Sequence, residues 1–237
     1  MQPIPAAGAT SAKSLLPARR LWAALSRNLS TRLGPQELRR RLWHMAPGFL
    51  PFLLWPIPHA DPISPTLRGI VAAIGLLLSF LLLRRWQQVS RANHESEIPS
   101  IAGYVAAVLL TVVAFPAHLE CAFAVLAILA FGDGAATLCG KLFESPRLPW
   151  NSQKSLAGLA GFLAVGTPMT ALIYWGETFN AESQRPPIDF SVAWQVAAIG
   201  VICAAIAESL PVKLNDNIRV GAVAAVAIVT AHLSLTG

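Results

Sequence analysis

Leu67-Arg-Gly-Ile-Val-Ala-Ala-Ile-Gly-Leu-Leu-Leu-Ser-Phe-Leu-Leu-Leu83 is an apolar run that closes in Arg84-Arg85-Trp86. About 20 mostly apolar residues cross a bilayer core as a helix, and Arg with Trp at the end of such a run marks the membrane–water interface. The stretch therefore predicts a membrane-spanning helix. Working outward from it, similar runs lie at 43–58, 100–116, 119–139, 156–175, 191–210 and 218–235. Together they predict an all-α fold, a polytopic transmembrane helical bundle of about seven spans. The run at 43–58 is the weakest, because Pro47, Pro51, Pro56 and Pro58 break the backbone ladder. It reads as a kinked or partly re-entrant helix, tolerated in lipid only when packed against protein. Only Pro116-Ala117-His118 separates the third and fourth runs, which predicts a tight helical hairpin.

The composition agrees. Of 237 residues, 54% are hydrophobic and 13% charged, about half the charge that a soluble domain carries. That excludes a soluble enzyme, a basic nucleic-acid-binding domain and a disulfide scaffold, so no nucleic-acid partner is expected. Cys121, Cys139 and Cys203 form no CxxC pair and read as buried small hydrophobes.

Charge sets the orientation. With the N-terminus in the cytoplasm, the segments 1–42, 84–99, 140–155 and 211–219 face inward and hold all the Lys and Arg except Arg68 and Arg185. Residues 1–42 then form a cytoplasmic basic segment, and 43–237 the transmembrane domain. Within the first segment Leu15, Ala18, Trp22, Leu25, Leu29 and Leu33 share one helical face opposite Arg20 and Arg27. That pattern suits a helix lying on membrane lipid or, alternatively, an organelle transit segment over 1–37. A multi-pass protein of the cell inner membrane, or of an organelle membrane, is expected.

Acids inside membrane spans are costly and point to function. Asp133, in Phe131-Gly132-Asp133-Gly134, and Glu208, in Ala207-Glu208-Ser209-Leu210-Pro211, both fall at cytoplasmic helix ends. The flanking glycines imply close backbone packing or a loosened turn. A helix-packing pair beside an incidental acid is the other reading. Glu120 lies at the opposite end and reads as a snorkelling interface residue. Between the fourth and fifth runs, the loop 140–158 carries Lys141, Arg147, Asn151, Lys154, Ser155 and Gly158. Ser155 reads as the N-cap of the next helix, whose free N–H groups would make an anion site, and Gly158 would let a bulky anion approach the backbone. Asp216-Asn217, before the last run, reads as a cap or as a further carboxylate for a metal. His44 opens the first run at the same face. His59, His94, His118 and His232 show no partner spacing and read as structural. Carboxylates, cations and a helix N-terminus on one face are the parts needed for metal-assisted phosphoryl transfer. No Walker A or protein-kinase signature is present.

Gly132-Asp133-Gly134-Ala135-Ala136 with Gly140-Lys141, Leu148-Pro149-Trp150-Asn151 and Lys154-Ser155-Leu156-Ala157-Gly158 resemble the phytol kinase and dolichol kinase family. The Arg-Leu-Trp-His44 opening, the Glu208 segment and Asp216-Asn217 are similar to it as well, so the resemblance covers about 38–237. The resemblance implies a polytopic kinase that phosphorylates a long-chain isoprenoid alcohol with CTP. It implies Mg²⁺ held by Asp133 and Asp216, with Asp133, Glu208 and Asp216 as the catalytic acids. Glu208 would ligate the metal or orient the lipid hydroxyl. Residues 140–158 would be the nucleotide loop, with Lys154 and Ser155 on phosphates, and with Lys141, Asn151, Gly158, His44 and Asn217 completing the pocket. A CTP-using cytidylyltransferase that makes a CDP-lipid, and a small membrane transporter, are the alternatives.

Overall fold

The computed structural model describes residue 31, residues 33–89 and residues 97–237. Most of the amphipathic stretch expected over 15–33, and His94, lie outside the described residues. The first helix, α1 (Pro35–Met45), starts sharply. Gly34 sits at φ 76°, in the left-handed region that favours glycine, and a proline follows in the first turn.

The predicted span at 43–58 is not one helix. α1 gives way to a 3₁₀ turn at Ala46–Phe49 and then to the short α2 (Leu50–Leu54). Pro47 and Pro51 each stand in the first turn of one of these pieces, where the missing N–H costs nothing. Protein packing holds the broken segment. Pro51 is fully buried, and a Cβ on Gly48 would lie 2.6 Å from that of Ala130.

The remaining runs appear as helices: α3 (Pro65–Val89), α4 (Glu97–Ala114), α5 (Leu119–Ala127), α6 (Asp133–Leu142), α7 (Leu156–Glu177), α8 (Phe190–Ser209) and α9 (Asp216–Thr236). α4 and α5 are joined by a four-residue turn, as the Pro116-Ala117-His118 spacing predicts. α5 runs into α6 through a single π turn at Ile128–Gly132, so the two act as one 24-residue rod. That rod and α7, α8 and α9 are long and apolar enough to cross a membrane, and shorter apolar stretches lie at Pro65–Leu77 and Gly103–Ala114. The protein is a helical membrane bundle.

The rod is the core. Its apolar window is 89% buried, against 39–44% for the other three long helices. α7 packs along it, α8 packs on α7, α9 on α8, and α4 on α9. The outer helices turn Ile199, Ile202, Ile206, Val226 and Leu233 outward, which suits lipid as the neighbour. Cys121 is fully buried as expected, whereas Cys139 and Cys203 are only partly so, and all three are free thiols.

One element was not expected in an all-α chain. Residues 140–158 contain a small hairpin, β1 (Arg147–Leu148) paired antiparallel with β2 (Asn151–Ser155). Leu148 is 2% exposed and anchors it. β2 leads directly into α7, so the hairpin fixes where α7 begins.

Candidate active site

One end of the bundle gathers the start of α7, the end of α8, the start of α9, the upper part of α6 and the end of α1. Lys154, the penultimate residue of β2, reaches Glu208 Oε1 at 2.5 Å and Asp216 Oδ2 at 2.9 Å. Asp216 Oδ1 accepts from Arg219 Nη2 at 2.9 Å, one turn along α9. Arg219 is itself buried and donates to the carbonyls of Glu208 (3.3 Å) and Val212 (3.1 Å), so it clips α9 onto the end of α8. The carboxylates outweigh the burial of Lys154. Burial alone would lower its ammonium, yet Glu208 and Asp216 raise it above the ordinary lysine range. Lys154 is therefore a fixed cation. The Glu208 side chain is 6% exposed, while that of Asp216 is 45% exposed and reachable from water.

Asp133 opens α6 directly after the π turn. Its Oδ2 lies 3.1 Å from His44 Nε2 and 3.9 Å from Arg41 Nη1. The same His44 nitrogen lies 3.2 Å from the Leu129 carbonyl, inside the π turn. Both neighbours are acceptors, so Nε2 carries the proton. Tyr104 meets the His44 ring edge-on at 5.2 Å. The glycines beside Asp133 show both expected features, a widened turn and close packing. A Cβ on Gly132 would lie 2.8 Å from the Phe162 ring, and one on Gly134 2.5 Å from Met45. Asp133, Lys154 and Glu208 lie close enough to act on one another's charge. Among the described residues, however, Asp133, Glu208 and Asp216 do not converge as three ligands around one point.

Several expected site residues have other duties. Ser155 does cap α7, its Oγ accepting from the Gly158 N–H at 3.1 Å. The helix start is not an open anion site, because the Leu156 N–H donates to the Pro146 carbonyl and the Ala157 N–H to Ser145 Oγ. Ser145 and Pro146, leading into the hairpin, have supplied the acceptors that a phosphate would otherwise have offered. Gly158 is packed against protein. A Cβ there would lie 3.0 Å from the Ala136 carbonyl, so its bareness serves the α6–α7 crossing. Asn151 is buried, donating to the Ser209 carbonyl (3.0 Å) and accepting from the Gln153 amide (3.0 Å). With the Trp150 indole on Ser209 Oγ (3.2 Å), it ties the hairpin to α8 and so holds Lys154 beside Glu208. Lys141 pairs with Glu37 at 3.1 Å, alongside Arg40 and Arg41. Arg40 first, against the effect of burial and with help from Lys141 and Arg41, holds the Glu37 carboxyl well below the usual range. Asn217 is buried, its backbone N–H donating to Asn215 Oδ1, and Asn215 is the cap of α9.

Arg219, Arg41 and Glu37 were not singled out from the sequence. Arg219 had one available signal, its i,i+3 spacing from Asp216 on a helix. Glu120, read as a snorkelling residue, is instead buried at the far end, and His59, His118 and His232 do have partners there.

Fold and site define a helical membrane protein that carries a lysine–carboxylate cluster at one end of its bundle. Over 198 residues, 78% of this chain and 63% of the other, it is 28% identical to phytol kinase 1, chloroplastic, of Arabidopsis thaliana. It is 29% identical over 214 residues to a probable phytol kinase 1 of Glycine max, covering 83% of this chain and 68% of that one. To farnesol kinase, chloroplastic, of Arabidopsis thaliana it is 26% identical over 205 residues, 81% of this chain and 64% of the other. The chain thus spans about two thirds of the length of these proteins. It is a relative of phytol kinases and of a farnesol kinase, as its motifs implied. No family model and no solved structure matches it.

Proposed function

We propose that this chain is an integral-membrane kinase that transfers the γ-phosphate of CTP to the hydroxyl of a long-chain isoprenoid alcohol, phytol or a related polyprenol. The observation that carries the reading is Lys154 held between Glu208 and Asp216 at the ends of apolar helices, with Asp133 and His44 alongside. The named activities of similar proteins, phytol kinase and farnesol kinase, support the choice of alcohol. An isoprenoid tail rests among apolar helix faces and brings its hydroxyl to the helix ends. A water-borne nucleotide reaches the same place. The distribution of basic residues supports the cytoplasmic face for both.

Phosphoryl transfer needs reactants positioned and charge offset. Lys154 and Arg41 are the cations nearest a triphosphate at this end, with Arg219 buried behind Asp216. Glu208, shielded from water, is the group that would orient the alcohol and take its proton. The acids of this end offer only carboxylate oxygens, hard donors that suit Mg²⁺, which takes one or two carboxylates plus phosphate oxygens and water. Asp133 and Asp216 would hold it, and when bound it would offset the charge gathering on the phosphates. On this reading Lys154 stands between two carboxylates until nucleotide arrives.

The test is to offer the detergent-purified chain γ-labelled CTP or ATP with phytol, geranylgeraniol, farnesol, dolichol and diacylglycerol. Label from CTP on an isoprenoid alcohol is the expected result. Label in pyrophosphate would make the chain a cytidylyltransferase, and no transfer to any alcohol would end the kinase reading.

A further inference from the structure

The end of the bundle opposite Lys154 holds a second polar cluster. Asp216 and His232 stand sixteen residues apart on α9, roughly 24 Å at 1.5 Å per residue. There a cavity of about 230 Å³ is lined by His59, Asp61, Glu120, Glu177, Arg185 and His232, among others. One ligand atom from each of His118, Glu120 and His232 lies within 4.8 Å of the others. Glu120 Oε1 is 3.3 Å from His118 Nδ1 and 3.8 Å from His232 Nε2. Four ligands at zinc–nitrogen and zinc–oxygen distances of about 2.0–2.1 Å, arranged tetrahedrally, stand about 3.4 Å apart. The three atoms are thus close to the spacing that such an ion requires.

We propose that His118, Glu120 and His232 form a site for a divalent transition-metal ion of the zinc class, separate from the Lys154 cluster and independent of the kinase reading. Two imidazoles with one carboxylate are a recurrent donor set for such ions, and the cavity leaves the fourth position open. The lone pairs can be accounted for. Arg185 Nη1 lies 2.5 Å from His118 Nδ1, and a guanidinium only donates, so that nitrogen carries a lone pair. The Tyr174 hydroxyl lies 2.7 Å from His232 Nδ1. With Nδ1–H donating to that oxygen, the tautomer a metal would select, the Nε2 lone pair faces Glu120, and Tyr174 becomes the outer-shell contact that metal-binding histidines usually have. Thr236 Oγ1, 3.4 Å from the same Nε2, already donates to the His232 carbonyl at 2.8 Å.

Arg185 is the competing cation. It donates to His118, to Glu120 at 3.3 Å, to the Ala117 carbonyl and to Asp61 Oδ2 at 3.0 Å. A metal ion would displace it from the first two. Asp61 and the Ala117 carbonyl would retain it, and Glu177, paired with His59 at 2.8 Å, adds negative charge to the wall. The ion would join the α4–α5 turn to the end of α9.

Titration of the detergent-purified full chain with Co²⁺ tests the site. One equivalent is expected to give the visible absorption of a tetrahedral cobalt centre, removed by Zn²⁺. His232→Gln and Glu120→Gln should abolish the band, while Asp133→Asn and Asp216→Asn should keep it. Arg185→Gln should bind Co²⁺ at least about tenfold more tightly, because the rival charge is gone. This arm stands even where the histidine variant fails to fold. Absence of the band from both the native chain and Arg185→Gln overturns the proposal. So does a band that survives Glu120→Gln, or unchanged or weaker binding in Arg185→Gln.

Discussion

The two ends of the bundle solve one problem with different chemistry. Each buries a glutamate that must be given a partner, because an unpaired charge in a water-poor interior costs several kcal/mol. At one end Glu208 meets Lys154, a cation that no ordinary pH discharges. At the other, Glu120 meets Arg185, with the rings of His118 and His232 beside it, and Glu177 meets His59. The first end has permanent charges and, in Asp216, a carboxylate open to water, which suits binding a highly charged ligand and releasing it. The second is rich in imidazole, which titrates and binds metals.

The comparison can be broken most severely at Asp133. Asp133→Asn should reduce the proposed CTP-dependent phosphorylation by at least about a hundredfold, with the chain still inserted and folded, as read by label transfer beside size-exclusion behaviour. Activity at the native level in that variant would separate Asp133 from the reaction. Next is the Lys154 pair. Lys154→Met leaves Glu208 buried and unpartnered and should cost about 3 kcal/mol of stability, near the low end for broken buried pairs because Lys154 is partly exposed. Glu208→Gln in the same chain should recover part of that loss. A double-mutant cycle on chemical unfolding reads the coupling, and simple additivity would deny that the two residues form a unit.

A smaller effect is expected at Asn151→Ala, which removes the bond to the Ser209 carbonyl and frees the Gln153 amide. About 1–2 kcal/mol should be lost, and the KM for nucleotide should rise more than kcat falls, because the hairpin positions Lys154 without itself reacting. The smallest change belongs to the far end. The Glu177 hydrogen bond, opposed by burial, raises His59 above its usual value of 6.5. A raised folded value means that protonation and folding support each other. The added stability is therefore full below about pH 6.5 and fades as pH climbs through the higher folded value. Thermal melts across that range should show the decline in the native chain and flatten in His59→Asn.

The contrast also explains what could be read from the sequence. Asp133, Glu208, Asp216 and Lys154 were legible because an acid in an apolar run is conspicuous, and because Ser155 and Asn215 carry local cap chemistry. Fold class and six of the seven helical runs followed from the same apolar patterning. The hairpin was not legible. Leu148 and Asn151 form it through contacts with the core and with Ser209, far along the chain. It was the hairpin, with Ser145 and Pro146 just before it, that used up the α7 amides expected to hold an anion. The break at Pro47 and Pro51 was half visible: the prolines announced it, but only packing against Ala130 and Trp55 against Gly176 decided that the segment stays inside the protein. The far-end cluster left no pattern, because its members come from residues 59 to 232 and meet only in three dimensions.

The π turn at Ile128–Gly132 has a consequence for how the rod can vary. A wide turn holds one more residue than an ordinary one, so deleting any single residue there would let the rod wind regularly from end to end. The wide turn spends nearly the same rotation on its surplus residue that an ordinary turn completes without it, so the helix beyond the deletion would keep its heading. Asp133 would stay on its side of the rod. The loss would fall on the turn itself, where the Leu129 carbonyl meets His44 Nε2 at 3.2 Å. A length change that would scramble a regular helix is absorbed at this one place.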